Sequence, residues 1–355
     1  MNLNDLKRIK KVDTGRMAES LALLSEQIKS VWQEAEKIKL PLSYFKVNKI
    51  IIFGMGGSNL GARIITSVFK EDLGVPLIIE AGYEVPNFID QNTLCILSSY
   101  SGNTEEPLSV FKKIRAKKAK LLAIGTISNN SALENLAKKE KIPGLFFSDL
   151  FNLSGQPRAG LGYALFGLLA LLNKIKILEI SSLEVKKLIE KLSKSGKNLV
   201  PGVKNNSAKK IAQELIGKEV VLLASDFLEG NLHTLRNQFN ENAKTFSSYL
   251  VLPEMNHYSL EGLSFPKNNK NNLIFLTFNS RLYSKRVNRR LKLTKEVIKK
   301  NKIKLVEYSL SGKNKLEQAM EMLQFGSWLT FYVGILNNIN PSLIPWVNWF
   351  KKELK

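Results

Sequence analysis

The sequence has few of the residues that build disulfides and metal centres. Of its 355 residues, one is cysteine and two are histidine. The single cysteine, Cys95, excludes an internal disulfide, and its apolar surroundings predict a small buried residue in a reducing compartment. His233 and His257 are scattered, so they cannot readily form the histidine and glutamate cluster of a zinc enzyme. We therefore expect neither a metal nor another cofactor.

The sequence also lacks an apolar run long enough to cross a bilayer. The longest candidate, 159–172, is shorter than a span and contains three glycines, which favours a buried helix. The first residues are polar and basic, with no apolar segment behind them. We therefore expect no secretory signal, no membrane partner and a cytoplasmic location.

The charge is mostly of one sign, with a formal net charge of +22. Its densest runs, 7–11, 112–120 and 284–304, lie far apart, and no zinc-finger spacing, helix-turn-helix or aromatic RNA-binding motif accompanies them. This pattern indicates a lysine-rich solvated surface. Attraction of a small anion is a secondary benefit, and no nucleic-acid partner is expected.

Short apolar strands alternate with helix-length segments through both halves of the chain. The predicted strands lie at 50–53, 76–80, 93–99 and 120–125, and again at 219–224, 248–252, 273–278 and 304–309. This order predicts an α/β fold with a mainly parallel sheet in each half, covered by helices on both faces. We divide the chain into an N-terminal helical segment at 1–45, a first domain at 46–175 and a second domain at 176–355. The polar stretch 195–207 is a candidate link between the halves.

The first candidate site is the glycine-rich loop at 54–61. A β-branched run breaks into glycines, and a helix follows, so backbone N–H groups and the Ser58 hydroxyl can face an anion. The alternative is a glycine turn needed only for tight packing. A dinucleotide-binding loop is disfavoured because Asn59 stands where the third glycine of that motif belongs.

The second candidate site is the hydroxyl-rich loop at 98–106. Ser99, Ser101 and Thr104 follow a strand and precede a helix, which suits a phosphate monoester held for recognition. Phosphoryl transfer is not indicated, because the lysine of a P-loop and a magnesium ligand are missing. A simple helix cap would explain Thr104 with Glu106, but not Ser99 and Ser101.

Together the two loops resemble the sugar isomerase (SIS) domain. Three further motifs, Gln-Pro-Arg-Ala at 156–159, Asn-Glu-Asn-Ala-Lys at 240–244 and Glu-Met-Asn-His at 254–257, resemble the bifunctional phosphoglucose/phosphomannose isomerases over nearly the whole chain. The resemblance implies two SIS-type domains with a flavodoxin-like three-layer αβα architecture. It also implies a homodimer that binds a sugar phosphate at the subunit interface.

The same resemblance implies the roles of individual residues. Glu241 is the base that moves a proton between C2 and C1 through a cis-enediol, a task for which a partly dry carboxylate is suited. His257, supplied across the dimer interface, and Lys351 assist ring opening, and Arg158 stabilises charge. The phosphate is held by Gly56, Gly57, Ser58, Ser99, Ser101 and Thr104.

Simpler roles remain open for several of these residues. An arbitrary glutamate is usually solvated, Arg158 or Arg236 can be an interdomain salt bridge, and the neighbouring Lys352 competes with Lys351. Ile344 precedes Pro345 where the family has a threonine, which weakens the expectation for mannose 6-phosphate. The alternative function is a sugar-phosphate-binding SIS regulator without catalysis.

Overall fold

The chain folds into two compact units. The computed structural model describes residues 2–128 and 130–354. The first unit is Leu23–Ser193, and the second unit combines Met1–Ala22 with Lys194–Lys355. Each unit contains one sheet of parallel strands flanked by helices, which confirms the predicted fold class.

The strands agree closely with the predicted ones. The first unit contains β1 (Lys49–Phe53), β2 (Leu77–Glu80), β3 (Thr93–Ser99), β4 (Lys120–Thr126) and β5 (Gly144–Phe147). The second unit contains β6 (Glu219–Ser225), β7 (Ser247–Leu252), β8 (Leu273–Asn279) and β9 (Lys304–Ser309). Among these strands, only β5 was not predicted.

Helices lie between most successive strands, as the predicted alternation requires, and some of the predicted helix-length segments are divided into two helices. They are α1 (Leu6–Val12), α2 (Met17–Ala22), α3 (Leu24–Glu36), α4 (Gly57–Val68), α5 (Glu105–Ser109), α6 (Phe111–Ala116), α7 (Ala132–Lys139), α8 (Leu161–Lys174), α9 (Ser182–Gly196), α10 (Ser207–Leu215), α11 (Glu229–Gln238), α12 (Asn269–Asn272), α13 (Lys285–Lys300), α14 (Lys315–Leu336) and α15 (Pro345–Glu353). In the described part of the chain, no helix is both long and apolar enough to cross a membrane.

The sheet of the first unit has the strand order β2-β1-β3-β4-β5, with all strands parallel. Its central strands are buried on both faces, as their continuous apolar runs predict. On one face Ile51, Phe53 and Leu97 pack against α6 and α7, together with Cys95. Cys95 is 0% exposed, which confirms that it is a buried core residue, and this burial raises the pKa of its thiol to about 12.

Helices α3, α4 and α8 also belong to this unit, and α8 packs against both of the others. A methyl group added at Gly61 in α4 would lie 2.7 Å from the Cα of Leu165 in α8. The two backbones are therefore in direct contact. This packing fixes the start of α4, where the glycine-rich loop ends.

The sheet of the second unit has the strand order β7-β6-β8-β9. The core of this unit also contains the long buried helix α14. Helix α14 is apolar and buried on all sides, and α2, α10 and α11 pack on it. Asn340 donates through Nδ2 to the Thr14 hydroxyl at 2.7 Å, and Lys209 Nζ lies 2.9 Å from Asn4 Oδ1. Contacts of this kind hold the first residues to the second unit.

The boundaries of the two units differ from the domain boundaries that we predicted. Apolar residues at helical spacing over 14–38 predict one amphipathic helix. The structure interrupts this helix at Leu23, and α2 belongs to the second unit whereas α3 belongs to the first. The predicted segment 1–45 is thus shared between the units. Residues 176–193, predicted to open the second domain, belong to the first unit, which ends beside the polar stretch 195–207.

Candidate active site

Both predicted phosphate loops lie at the point where the strand order of the first sheet changes direction. Strand β2 lies on one side of β1, and all later strands lie on the other side. Ligands of open α/β sheets bind outside the carboxyl ends of the strands at such a point. The loop at 54–58 follows β1 and the loop at 99–104 begins at the end of β3. The topology therefore places the two loops side by side.

Ser58 joins the two loops. Its hydroxyl oxygen accepts a hydrogen bond from the Tyr100 backbone N–H at 2.8 Å, while the Ser98 hydroxyl donates to the Ser58 carbonyl at 2.8 Å. A hydroxyl that accepts in this way keeps its own proton as a donor. The Ser58 proton is therefore suited to meet an anion between the loops.

The hydroxyl loop is held in shape by its own side chains. The oxygens of Ser99 and Thr104 lie 2.8 Å apart, and the Thr104 N–H donates to Ser99 at 3.3 Å. Ser99 is buried, whereas Ser101 is exposed. Gly102, which follows Ser101, has a φ of +72°, and a side chain there would overlap the Ser131 hydroxyl. The turn thus requires glycine.

The glycine loop packs on the segment that carries Arg158. Gly56 has a φ of +49°, which favours glycine, and a methyl group at Gly57 would lie 2.7 Å from Pro157 Cβ. Pro157 begins the short 3₁₀ turn Pro157–Ala159, which contains Arg158. The predicted motif at 156–159 is therefore adjacent to the first phosphate loop.

Arg158 is only 2% exposed, and its Nη1 donates to Gln156 Oε1 at 2.8 Å. Asn152 connects this turn to the hydroxyl loop, since its Nδ2 donates both to the Tyr100 hydroxyl at 2.8 Å and to the Gln156 carbonyl at 3.0 Å. The Tyr100 pKa is raised well above its ordinary value by burial. Arg158 and the two loops thus form one connected polar cluster in the first unit.

Glu241 lies in the second unit, on a π-helical turn, Phe239–Ala243, that directly continues α11. The sequence predicts an ordinary helix through this region. Two hydrogen bonds hold the turn to α14 and its C-terminal end. Asn242 in the turn donates to Oγ1 of Thr330 in α14 at 3.2 Å, and Asn337 after α14 donates to the Ala243 carbonyl at 3.1 Å. Single π turns occur frequently at functional sites.

Glu241 is half-buried and lines a cavity of about 510 Å³. The cavity also contains a cation and aromatic side chains that the sequence did not assign to a site. Arg236 Cζ lies 5.5 Å from the centre of the Tyr249 ring, and Arg236 Nη2 lies 3.2 Å from both ring nitrogens of His233. The lining residues are Arg236, Asn237, Asn240, Glu241, Phe246, Ser247, Ser248 and Tyr249. No sequence signal pointed to this grouping, because Arg236 and Glu241 are five residues apart and would not share a face of a regular α-helix.

His257 and Lys351 lie on other elements of the second unit. His257 ends the 3₁₀ turn Glu254–His257 and is exposed, while the buried Met255 and a 2.8 Å bond from Asn256 Nδ2 to Thr294 Oγ1 hold the turn. Lys351 is on α15, and like Lys352 it is exposed. The two lysines therefore remain equivalent candidates.

The structure groups the predicted residues by unit. The first unit brings together Gly56, Gly57, Ser58, Ser99, Ser101, Thr104 and Arg158, and the second unit carries Glu241, His257 and Lys351 on three separate elements. Within residues 2–128 and 130–354, no group of three or more histidine, cysteine or acidic side chains is arranged to hold a metal ion.

Family models match both halves of the chain. The model described as bacterial phospho-glucose isomerase C-terminal SIS domain matches residues 204–354, and the SIS domain model matches residues 43–142. The first match contains Glu241, His257 and Lys351. The second contains both phosphate loops, and Arg158 lies between the two matched segments.

Several proteins resemble the chain over much of its length. The bifunctional phosphoglucose/phosphomannose isomerase of Caldicellulosiruptor bescii is 28% identical over 342 residues, covering 95% of this chain and 98% of that protein. The protein of the same name from Thermoplasma volcanium is 29% identical over 312 residues, covering 87% and 92%. A D-glucosamine-6-phosphate 4-epimerase of Sulfolobus acidocaldarius is 27% identical over 245 residues, covering 69% and 73%.

Solved structures share the fold at low identity. A hypothetical protein of Thermus thermophilus aligns with a TM-score of 0.73 and 16% identity, covering 98% of this chain and 93% of that chain. A putative phosphosugar isomerase of Clostridium difficile 630 aligns with a TM-score of 0.67 and 13% identity, covering 95% and 97%. The two domain matches and the relatives that align over most of its length show that the chain contains SIS domains and is similar to the bifunctional phosphoglucose/phosphomannose isomerases.

Proposed function

We propose that the protein is an aldose-ketose isomerase that interconverts glucose 6-phosphate and fructose 6-phosphate. The observation that carries this proposal is the alignment with a bifunctional phosphoglucose/phosphomannose isomerase over 95% of the chain. The hydrogen-bonded hydroxyl groups of the two loops in the first unit and the cavity beside Glu241 in the second unit support it.

The phosphate acts as a handle in this proposal. The hydroxyls of Ser58, Ser99, Ser101 and Thr104 and the backbone around Gly56 and Gly57 bind it without taking part in the reaction. Such binding holds the sugar equally in the ground state and the transition state. The buried guanidinium of Arg158 adds positive potential beside the loops, which favours the anionic enediolate.

The carboxylate of Glu241 acts as the base. It takes the proton from C2 of the open-chain aldose, and the C2–H electron pair forms the C1–C2 double bond of a cis-enediol as O1 gains a proton. The O2–H electron pair then forms the C2 carbonyl as O2 releases its proton, and the C1–C2 π pair takes the proton that Glu241 returns to C1, so the proton lost by O2 balances the one gained by O1. One base serves both carbons, because they are neighbours on the same face of a cis-enediol.

Ring opening precedes this step, since hexose phosphates are mainly closed rings. His257 is suited to move a proton between the ring oxygen and the anomeric hydroxyl, and Lys351 is suited to stabilise the developing negative oxygen. The proposal places His257 at the site of the partner subunit in a homodimer. The single buried thiol, Cys95, suits the cytoplasm, where we place the protein.

Use of mannose 6-phosphate depends on space around C2. Ile344, which is half-buried and immediately precedes α15, is larger than the threonine that the family has before this proline. An extra methylene in a binding pocket changes relative rates by about 10- to 200-fold. We therefore expect fructose 6-phosphate to give glucose 6-phosphate faster than mannose 6-phosphate.

A coupled assay tests the proposal. Purified protein is given fructose 6-phosphate, and glucose 6-phosphate and mannose 6-phosphate are measured separately, with and without exhaustive chelation. Glucose 6-phosphate formation that survives chelation is expected. Loss of activity that zinc restores would contradict the proposed chemistry.

Two other outcomes would replace the proposal. Binding of sugar phosphate, seen as a raised melting temperature, with no turnover would favour a regulator. Conversion of glucosamine 6-phosphate to its C4 epimer, without isomerisation of fructose 6-phosphate, would favour the activity for which the Sulfolobus acidocaldarius relative is named.

A further inference from the structure

The turn that carries Glu241 ends in a lysine with an unusual backbone. Lys244 caps the π-helical turn with a φ of +50°, and its N–H donates to the Phe239 carbonyl. Glycine or asparagine is the residue usually found in this conformation at the end of a helix. Lys302 has the same conformation, with a φ of +60°, two residues after the end of α13, but its side chain is exposed. The two lysines therefore differ in what their side chains do.

The Lys244 ammonium group contacts backbone carbonyls of two separate segments. Its Nζ donates to the carbonyl of Glu241 at 2.7 Å, and to the carbonyls of Asn340 and Pro341 at 3.0 and 3.3 Å. An ammonium group has three N–H donors, which is the number these carbonyls require. The side chain thus links the turn that bears the proposed base to the segment between α14 and α15.

That segment is itself fixed within the second unit. Asn340 Nδ2 donates to Thr14 Oγ1 at 2.7 Å, and the Ser342 hydroxyl donates to the Gly15 carbonyl at 3.2 Å. Gly15 packs directly on Ser342, because a Cβ atom at this position would overlap the Ser342 hydroxyl oxygen. Lys244 therefore ties the backbone of Glu241 to an anchored part of the chain, and this part leads directly into α15.

We propose that Lys244 is a positioning residue, whose ammonium group sets the place of Glu241 through the backbone carbonyl of that residue. The inference rests on the proposed function, in which Glu241 must reach two adjacent carbons. Glu241 lies in the last turn before the helix ends, where carbonyls have no regular helical partner, and the Lys244 ammonium group supplies a partner to the Glu241 carbonyl. Because Lys244 acts on the turn, its loss disturbs proton transfer more than substrate binding.

The test compares four variants of the full-length protein with fructose 6-phosphate and with glucose 6-phosphate carrying deuterium at C2. Lys244→Gly removes the side chain and suits the backbone conformation, whereas Lys244→Met keeps most of the chain length without the charge. Lys302→Gly is the matched control, because it also replaces a lysine of positive φ in the same unit with glycine and removes no buried ammonium group. Glu241→Gln reports on the base itself.

We expect both Lys244 variants to lose roughly 10- to 100-fold in kcat, with KM within about twofold of the wild-type value. The enediol should also persist longer before the proton is returned, so that more deuterium exchanges with solvent and less reaches C1 of fructose 6-phosphate. Lys302→Gly should leave kcat, KM and deuterium transfer unchanged. The thermal unfolding curve of each variant gives its folded fraction at the assay temperature, and each kcat is divided by that fraction.

Two results would overturn the inference. One is a kcat for either folded Lys244 variant within about threefold of wild type. The other is a loss of kcat that follows the folded fraction with unchanged deuterium transfer, as expected for a purely structural lysine. Should Lys244→Gly not fold, Lys244→Met decides between these results. Full turnover in Glu241→Gln would instead overturn the proposed function.

Discussion

The hydroxyl oxygen of Ser58 accepts the backbone N–H of Tyr100 at 2.8 Å, which joins the loop after β1 to the loop after β3. One serine thus shapes both loops of the proposed phosphate site, and its own proton stays available for a ligand. The bond crosses the point where the strand order reverses, and the chain between the two residues includes the whole of β2. The site depends on the topology of the sheet as much as on either motif.

Replacing Ser58 with alanine tests this double role. Ser58→Ala removes a donor to the phosphate and leaves the buried Tyr100 N–H without its partner, which costs about 1–3 kcal/mol. We expect KM for fructose 6-phosphate to rise about tenfold or more, with a smaller change in kcat, because the phosphate does not react. Ser109→Ala, at an exposed serine at the end of α5, is the control. An unchanged KM in Ser58→Ala would exclude Ser58 from the phosphate site.

Gly57→Ala tests the contact between the glycine loop and the Arg158 turn. The added methyl group lies 2.7 Å from Pro157 Cβ, so either the loop or the turn must move. We expect a loss of about 1–3 kcal/mol in the free energy of unfolding and a smaller rise of the melting temperature on adding sugar phosphate. Gly74→Ala is the matched control, since a methyl group there meets no atom within 4 Å. Equal behaviour of the two variants would show that the loop does not need this contact.

Mixing inactive subunits tests the placement of His257 in the partner's site. Glu241→Gln and His257→Asn are each expected to lose most activity. In a mixed dimer, one site then contains both wild-type side chains and the other contains neither. Random exchange of equal amounts should restore about a quarter of the wild-type activity. Absence of recovery after exchange has been verified would show that Glu241 and His257 of the same subunit act together.

Ile344→Thr tests the proposed reason for a preference between epimers. The smaller polar side chain leaves more room at the start of α15, so the rate of mannose 6-phosphate formation relative to glucose 6-phosphate should rise about tenfold. The two products are measured from the same reaction. A product ratio equal to that of the wild type would show that Ile344 does not determine the preference between the epimers.

The parallel sheets and the strand, loop and helix order at both candidate phosphate loops could be predicted from the sequence, because their signals are local. The run at 50–53 and the hydroxyl loop at 99–104 carry their strand, turn and helix preferences within a few residues. The order of strands then places the loops together without further information. The connection through Asn152 was not predicted, because it joins residues distant in sequence by side-chain hydrogen bonds.

The division into units and the π turn at Glu241 could not be predicted from local sequence patterns. The amphipathic period at 14–38 continues across Leu23, so it contains no sign that α2 and α3 belong to different units. The π turn depends on Asn337 and Lys244, whose partners are set by the packing of α14 and the segment after it. A periodic pattern of apolar residues cannot report such contacts.

The most direct test of the proposed function is the turnover of Glu241→Gln with fructose 6-phosphate. The amide has nearly the shape of the carboxylate but cannot accept the proton from carbon, and a general base contributes about 10²- to 10⁴-fold to the rate. We expect turnover to fall by at least that factor while sugar phosphate still raises the melting temperature, since the phosphate loops are intact. Turnover near the wild-type rate in this variant would contradict the assignment of Glu241 as the base.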